Sequence, residues 1–199
     1  MPSRPPGRDP VALLHHALKT RPGHGDLWVF GYASLIWRPE FEAEERRPAA
    51  VYGWHRALKM HSRINRGTSE RPGLVFALIS GGSCRGVVYR IAQQHVTNEL
   101  ERLWAREMPS GVYDPKWLAC HTPQGHVDAL AFVLSRHSPN YTGPLPDAQM
   151  LDILRGASGR YGTTLDYMLE TAAALRGHGI RDLQLDRLVA LARRHGLAA

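Results

Sequence analysis

The sequence predicts an α+β fold in which a largely antiparallel, closed or nearly closed β-sheet carries helices at its margins. Two observations support this prediction. Apolar residues alternate with polar ones over several short segments bounded by Gly, Pro or Asn, whereas the chain after residue 146 shows helical spacing. The length of 199 residues is enough for one hydrophobic core. We therefore expect one domain over residues 26–199.

The first strand is predicted at residues 27–32, Leu-Trp-Val-Phe-Gly-Tyr, because aromatic and β-branched side chains dominate it. Gly81 and Gly82 predict a break in the sheet between two later segments. The further predicted strands are residues 49–61, 72–79, 84–91, 112–121 and 126–135. These segments follow one another through short connections, which favours antiparallel pairing.

One helix is predicted at residues 93–107, where Val96, Leu100, Leu103 and Trp104 fall at helical spacing and deliver Glu107 near the C-terminal end. The remaining predicted helices are residues 147–154, 163–176 and 182–195.

Residues 1–25 are expected to form a flexible N-terminal tail with a short helix. Asp9 before Pro10 is typical of an N-cap followed by proline at the first helical position, and the helical pattern runs to Lys19. The opening residues are rich in Pro and Arg and lack the apolar stretch of a secretion signal. No apolar run approaches the ~20 residues that a membrane span needs. We expect a cytoplasmic protein with no membrane association.

The net charge of +7, from 25 basic and 18 acidic residues, suits either a nucleic acid or a small anionic substrate. The basic residues are scattered and form no run of five or more. The distribution therefore favours a small anion, and we expect no nucleic-acid partner and no obligate protein partner.

Cys84 and Cys120 are predicted to be reduced and buried, because they lie far apart and outside any CxxC motif. The eleven histidines show no metal-ligand spacing such as HExxH. Gly81-Gly82 lacks the lysine and the strand-loop-helix context of a phosphate-binding loop. We expect no metal and no cofactor.

The residues Gly31-Tyr32-Ala33-Ser34-Leu35 form a candidate binding turn. Small residues directly after a buried strand expose successive backbone N–H groups, which can bind a carboxylate or a developing oxyanion. The same pattern is also typical of an ordinary turn.

Glu107 is the candidate general base. At the C-terminal end of a helix and among apolar neighbours, both the helix dipole and desolvation raise the pKa of a carboxyl group. The alternative is a solvated carboxylate paired with Arg106 or Arg102.

Two loops are weaker candidates. The loop of residues 61–73, which contains Arg66, carries cations able to grip a carboxylate but equally resembles a solvated connector. The loop of residues 138–143 carries Tyr141, whose hydroxyl can line a pocket or merely pack the loop.

Four segments in this order resemble the ChaC-like γ-glutamylcyclotransferases. Residues 29–39, VFGYASLIWRP, are similar to the family's FGYGSLIW followed by a basic residue and proline, at ten of eleven positions. The other three segments are Arg66 to Gly73 (RGTSERPG, like RGTPE-x-PG), Arg106-Glu107 with Gly111 and Tyr113 (like RE…GGY), and Asn140-Tyr141-x-Gly143 (like NYxG). The resemblance spans about residues 28–169.

The resemblance implies a small β-barrel-like α+β fold and cleavage of glutathione to 5-oxoproline and Cys-Gly, without a cofactor. It implies that main-chain amides of Tyr32, Ala33, Ser34 and Leu35 hold the γ-glutamyl group. Glu107 matches the family's acid/base glutamate. Arg66 and Tyr141 match residues expected to complete the pocket.

Ala33 departs from the family, which usually has glycine there. If the position required φ > 0, alanine would be strained by about 1 kcal/mol or more. Ser69 and Ser110, in place of the usual proline and glycine, are milder departures. Other γ-glutamyl amino acids or amines as substrates, and a non-catalytic γ-glutamyl-binding role, remain alternatives.

Overall fold

The architecture is a closed five-stranded β-barrel surrounded by helices, as described by a computed structural model for residues 8–198. The barrel strands are β1 (Leu27–Gly31), β2 (Glu45–Ser62), β3 (Gly73–Ile91), β4 (Asp114–Thr122) and β5 (Gly125–Val133), with a two-residue hairpin, β6 (Ser158–Gly159) and β7 (Gly162–Thr163). The helices are α1 (Pro10–Lys19), α2 (Ser34–Trp37), α3 (Val96–Glu107), α4 (Asp147–Gly156), α5 (Thr164–Gly177) and α6 (Leu183–Arg194), and a 3₁₀ turn, Gln93–His95, precedes α3. The predicted α+β barrel class is confirmed.

The barrel closes in the order β1-β3-β2-β4-β5, and most neighbouring strands are antiparallel. Closure uses a short parallel pairing, in which Trp28 and Val29 of β1 lie beside Ala129 and Leu130 of β5. Successive strand residues point alternately into the barrel and away from it, and at the centre of the barrel strands both faces are covered. Val29, Phe30, Leu78, Ile79 and Leu130 are all fully buried.

The predicted break at Gly81-Gly82 is wrong. Residues 73–91 form one long strand that pairs with β2 along its whole length. Gly81 and Gly82 have φ of 100° and 72°, and Gly53 on the facing strand has φ of 79°, at a shift in the pairing register. These glycines therefore bend a continuous two-stranded ribbon instead of ending it, as bulges do.

The N-terminal helix begins where the sequence predicts, with the Asp9 carboxylate accepting a hydrogen bond from the Val11 N–H. Two tryptophans attach it to α3 and to β4. The Trp104 indole of α3 donates to the Pro10 carbonyl (2.8 Å), and the Trp117 indole of β4 donates to the Ala17 carbonyl (3.1 Å). Residues 1–7 of the expected tail lie outside the described residues. The division into a tail and one domain stays a prediction.

The loop between β2 and β3 is packed against the β6–β7 hairpin. Arg160 and Tyr161 N–H groups donate to the Ile64 and Asn65 carbonyls (2.8 and 2.9 Å). Only glycine fits at Gly73, because an added Cβ would lie 2.0 Å from the Arg66 carbonyl oxygen. These contacts hold the loop in one position against the hairpin.

Cys84 and Cys120 are buried and form no disulfide. Burial raises the pKa of the Cys84 thiol to about 11 and that of Cys120 to about 12, so both stay protonated at neutral pH. Among residues 8–198, no helix is both long and apolar enough to cross a membrane.

Candidate active site

A cavity of about 290 Å³, counting the part open to solvent, lies where the turn after β1 meets the end of α3. The turn contributes Tyr32, Ala33, Ser34 and Leu35 to its lining. Glu107 lines it together with four aromatic side chains, which are Phe76, Tyr113, Phe132 and Tyr167. The structure thus brings the candidate binding turn and the candidate base into one largely apolar cavity.

The turn is held rigidly from both sides. A Cβ at Gly31 would lie 3.1 Å from both Leu35 Cβ and the Tyr89 ring, so the chain folds back tightly there. The Tyr32 hydroxyl donates to the Phe132 carbonyl (2.8 Å), and the buried Arg56 guanidinium donates to the Tyr32 carbonyl. Ser34 and Leu35 open α2, and their N–H groups have no acceptor within that helix, whereas the Ile36 N–H is bonded to the Ala33 carbonyl.

Ala33 is not strained in the way that its place in the turn suggested. Its φ is −144° and its ψ is −115°, so the residue does not enter the left-handed region that favours glycine. The Ala33 carbonyl accepts a hydrogen bond from the Ile36 N–H (2.9 Å), and its side chain is buried. The penalty that a positive φ would impose on alanine therefore does not arise.

Glu107 is the last residue of α3, and its side chain is only 15% exposed. Burial raises the pKa of this carboxyl above its ordinary value. The neighbouring Arg106 guanidinium opposes the rise, while the carboxylate of Glu40 adds to it. Glu107 is thus a largely buried carboxyl group with a raised pKa, a shift in the direction that suits a general base.

The predicted alternative for Glu107, a solvated ion pair, holds only in part. Arg106 Nε lies 3.0 Å from Glu107 Oε1, so the pair exists, but the carboxyl is largely buried. Arg102 pairs with Glu99 instead, at 3.2 Å.

Three phenols surround the carboxyl group. Burial raises the pKa of Tyr32, Tyr113 and Tyr167, and the nearby charge of Glu107 adds to each rise. All three are therefore neutral hydrogen-bonding groups at physiological pH. The Tyr167 hydroxyl also accepts a hydrogen bond from the Phe76 N–H (3.2 Å), which fixes its ring in the cavity wall.

The structure does not bring Arg66 or Tyr141 into the cavity lining. The Arg66 guanidinium lies 5.0 Å from the centre of the Tyr167 ring and donates to the Tyr161 carbonyl, so it supports a lining residue from behind. Tyr141 forms an isolated β-bridge with Met60, and the Arg136 guanidinium carbon lies 5.9 Å from the centre of the Tyr141 ring. As located, neither side chain belongs to the cavity.

Sequence reasoning assigned no role to Phe76, Tyr113, Phe132 or Tyr167. Tyr113 stood inside a motif, but its own contribution was not singled out. Tyr167 lies in α5, where the spacing of apolar residues indicates only packing against the core. The available signal is that a buried tyrosine hydroxyl needs a hydrogen-bond partner. Within the described residues, no cluster of three or more His, Cys, Asp or Glu is placed to hold a metal ion.

Residues 27–195 match the family described as ChaC-like protein. The chain belongs to the ChaC-like family. Among its relatives is the Escherichia coli (strain K12) glutathione-specific gamma-glutamylcyclotransferase, 34% identical over 180 residues, covering 90% of this chain and 78% of the relative. The protein of that name from Schizosaccharomyces pombe is 30% identical, covering 80% of this chain and 87% of the relative.

A solved structure shares the ChaC-like fold. The crystal structure of a glutathione-specific gamma-glutamyl cyclotransferase from yeast superposes with a TM-score of 0.78, at 21% sequence identity, covering 85% of this chain and 96% of the yeast chain. This likeness confirms the predicted barrel architecture.

Proposed function

We propose that this ChaC-like protein is a glutathione-specific γ-glutamylcyclotransferase in which Glu107 is the acid/base residue. The observation that carries the proposal is the buried Glu107 carboxyl in the same cavity as the turn Tyr32–Leu35. The names of the E. coli and S. pombe relatives, which are glutathione-specific enzymes, support the choice of reaction and substrate.

The reaction is intramolecular. The α-amino nitrogen of the γ-glutamyl group attacks its own γ-carbonyl carbon, and a new C–N bond closes the five-membered lactam of 5-oxoproline. The C–N bond to the cysteinyl nitrogen then breaks and releases Cys-Gly. Because nucleophile and electrophile belong to one molecule, the protein needs only to hold the chain in a reactive conformation.

Glu107 moves the proton. Its carboxylate accepts a proton from the substrate's ammonium group, which frees the amine lone pair, and gives that proton to the departing nitrogen. The second proton, which the attacking nitrogen loses as the lactam forms, passes to the amine of Cys-Gly by the same route. The raised pKa of Glu107 suits both halves of this transfer. The N–H groups of Ser34 and Leu35 and the neutral Tyr167 hydroxyl stabilise the oxyanion that forms on the γ-carbonyl oxygen.

The net charge of +7 favours the approach of glutathione, which carries two carboxylates. We place the protein in the cytoplasm. We continue to expect that it needs no cofactor and binds no nucleic acid.

The test is detection of 5-oxoproline and Cys-Gly by mass spectrometry after incubation with glutathione, with γ-Glu-Ala as a second substrate. General acid/base catalysis contributes about 10²–10⁴-fold, so Glu107→Gln is expected to lose that much of kcat/KM while keeping the circular-dichroism spectrum of the wild type. Glu101→Gln, an exposed position on the same helix, is the matched control and should keep wild-type activity.

Product from γ-Glu-Ala at a rate equal to that from glutathione would overturn glutathione specificity while leaving the cyclisation intact. A Glu107→Gln variant with near wild-type turnover would overturn the assignment of the base. A folded wild-type protein that releases no 5-oxoproline from either substrate would leave γ-glutamyl binding without catalysis as the function.

A further inference from the structure

The side chain of Arg106 connects the two halves of the cavity. Its Nε lies 3.0 Å from Glu107 Oε1, and its Nη2 donates to Ser34 Oγ at 3.1 Å. The same guanidinium donates through Nη1 to the Arg38 carbonyl and, at 3.2 Å, to the Pro39 carbonyl. One side chain from α3 thus binds the candidate base and both ends of α2, the helix that follows the binding turn.

A second carboxylate lies on the outer side of this guanidinium. Glu40 Oε2 lies 3.0 Å from Arg106 Nη1, and Glu40 also pairs with Arg38. The backbone of Glu40 has φ of 58°, a left-handed conformation that residues other than glycine seldom adopt. Among residues 8–198 it is the one non-glycine residue with positive φ. The fold therefore tolerates an unfavourable backbone at the residue that places this carboxylate against Arg106.

We propose that Arg106 is a positioning residue that fixes Glu107 against the binding turn, and that Glu40 sets how much of the Arg106 charge Glu107 receives. This proposal rests on the proposed function. The Arg106 guanidinium contacts two carboxylates. The Glu107 side chain is largely buried (15% exposed), and the Glu40 side chain is half-exposed (41%). The negative charge of Glu40 offsets part of the attraction that Arg106 exerts on the Glu107 carboxylate.

The arrangement keeps Glu107 between two unfavourable limits. With Arg106 unopposed its carboxylate would be a weaker base, whereas without Arg106 burial would raise its pKa further and favour the protonated form. The groups facing Glu107 are Arg106 from α3, Glu40 from the loop after α2, and the hydroxyls of Tyr32, Tyr113 and Tyr167. The phenols are neutral, so Arg106 and Glu40 dominate the charge balance.

Opposite shifts of the pH profile follow for the two partners. The acidic limb of kcat/KM reports ionisation of the base in the free enzyme. Arg106→Gln removes the stabilising cation, so the acidic limb is expected to move to higher pH. Glu40→Gln removes the competing anion, so the limb is expected to move to lower pH. A residue that serves only to support the fold would lower activity without moving the limb.

The experiment measures kcat/KM for 5-oxoproline release from glutathione between pH 5 and 9 in the wild type and in Arg106→Gln, Arg106→Lys, Glu40→Gln and Arg102→Gln. Misplacement of a reacting group by about 1 Å costs on the order of 10²-fold. Arg106→Gln is expected to lose about that factor at neutral pH, and Arg106→Lys, which keeps the charge but not the two-pronged geometry, to recover the wild-type limb position with a reduced rate. Arg102→Gln, one turn earlier and paired with Glu99, is the control expected to match the wild type.

The outcomes separate this proposal from the one on which it rests. Unmoved limbs in folded Arg106→Gln and Glu40→Gln, with an active wild type, would overturn the proposed roles of Arg106 and Glu40 and leave the cyclotransferase assignment standing. Shifts of the same sign in both variants would also contradict it. If Arg106→Gln fails to fold, Glu40→Gln tests the proposal alone: a shift of its acidic limb to lower pH supports the proposal, and an unmoved limb overturns it. An inactive wild type would overturn the proposed function instead.

Discussion

At the scale of single residues, the identity of the side chain at position 33 matters less than the family pattern suggests. Ala33 has a negative φ, and its methyl group is buried under the binding turn. The chain thus avoids the left-handed conformation at this position, and the methyl group contributes packing.

Ala33→Gly is expected to leave kcat/KM unchanged within error and to lower the free energy of unfolding by about 1 kcal/mol, because the glycine backbone loses more entropy on folding and the buried methyl contact disappears. Urea unfolding and the glutathione assay measure the two quantities. A rise of about tenfold in kcat/KM, equivalent to 1.4 kcal/mol, would mean that alanine does distort the turn.

At the scale of elements, the C-terminal helix is tied directly to the cavity wall. Asp182 caps α6 by accepting from the Leu185 N–H (3.0 Å), and its other oxygen pairs with Arg56 at 2.7 Å. Arg56, whose side chain is 2% exposed, also donates to the carbonyl of Tyr32. The start of α6 therefore neutralises the buried cation that fixes the binding turn.

Asp182→Asn keeps a capping oxygen but leaves the Arg56 charge uncompensated in the interior. We expect a loss of about 2–3 kcal/mol in the free energy of unfolding, the size of a lost charged hydrogen bond. Asp186→Asn is the control, since its contact with Arg181 is long (3.9 Å) and exposed, and its cost should stay below about 1 kcal/mol. Equal losses in the two variants, measured by chemical denaturation, would contradict this role of Asp182.

The elements also show how far the sequence determined the result. Alternation and helical spacing located the five barrel strands and the long helices, because each buries one face against the core. The Gly81-Gly82 pair wrongly predicts a break, since two glycines indicate a turn but not whether the pairing with the facing strand continues past it. Arg66 and Tyr141 belong to the motifs, but a sequence motif does not tell whether a side chain faces the cavity or packs behind its lining. Tyr167 reaches the cavity only through the packing of α5 on the barrel.

At the scale of the whole molecule, the candidate base lowers the stability of the fold. A carboxyl whose pKa is raised on folding binds its proton more tightly in the folded than in the unfolded chain. The protein therefore loses stability as the pH rises from the ordinary value of 4.5 through the folded pKa of Glu107. Active sites commonly reduce stability in this way.

Glu107→Gln cannot ionise and escapes this loss. Above the folded pKa we expect the variant to unfold at higher temperature than the wild type, with the gap closing as the pH falls below 4.5. Thermal unfolding monitored by circular dichroism between pH 4 and 8 tests this, since carboxyl groups that do not interact with Glu107 cancel in the comparison. Curves that stay parallel over the whole range would mean that the environment of Glu107 does not oppose its charge.

The parallel pairing of β1 with β5 has a consequence for synthesis of the chain. Trp28 and Ala129 are about 100 positions apart, and so are Tyr32 and Phe132, whose hydrogen bond closes the cavity wall. At translation rates of about 5–20 residues per second, β1 waits roughly 5–20 s for this partner strand to be made. During that interval the apolar segment Leu27–Gly31 lacks the neighbour that completes the barrel. The cavity therefore cannot be completed before β5 has been made, because Phe132 of that strand is part of its lining.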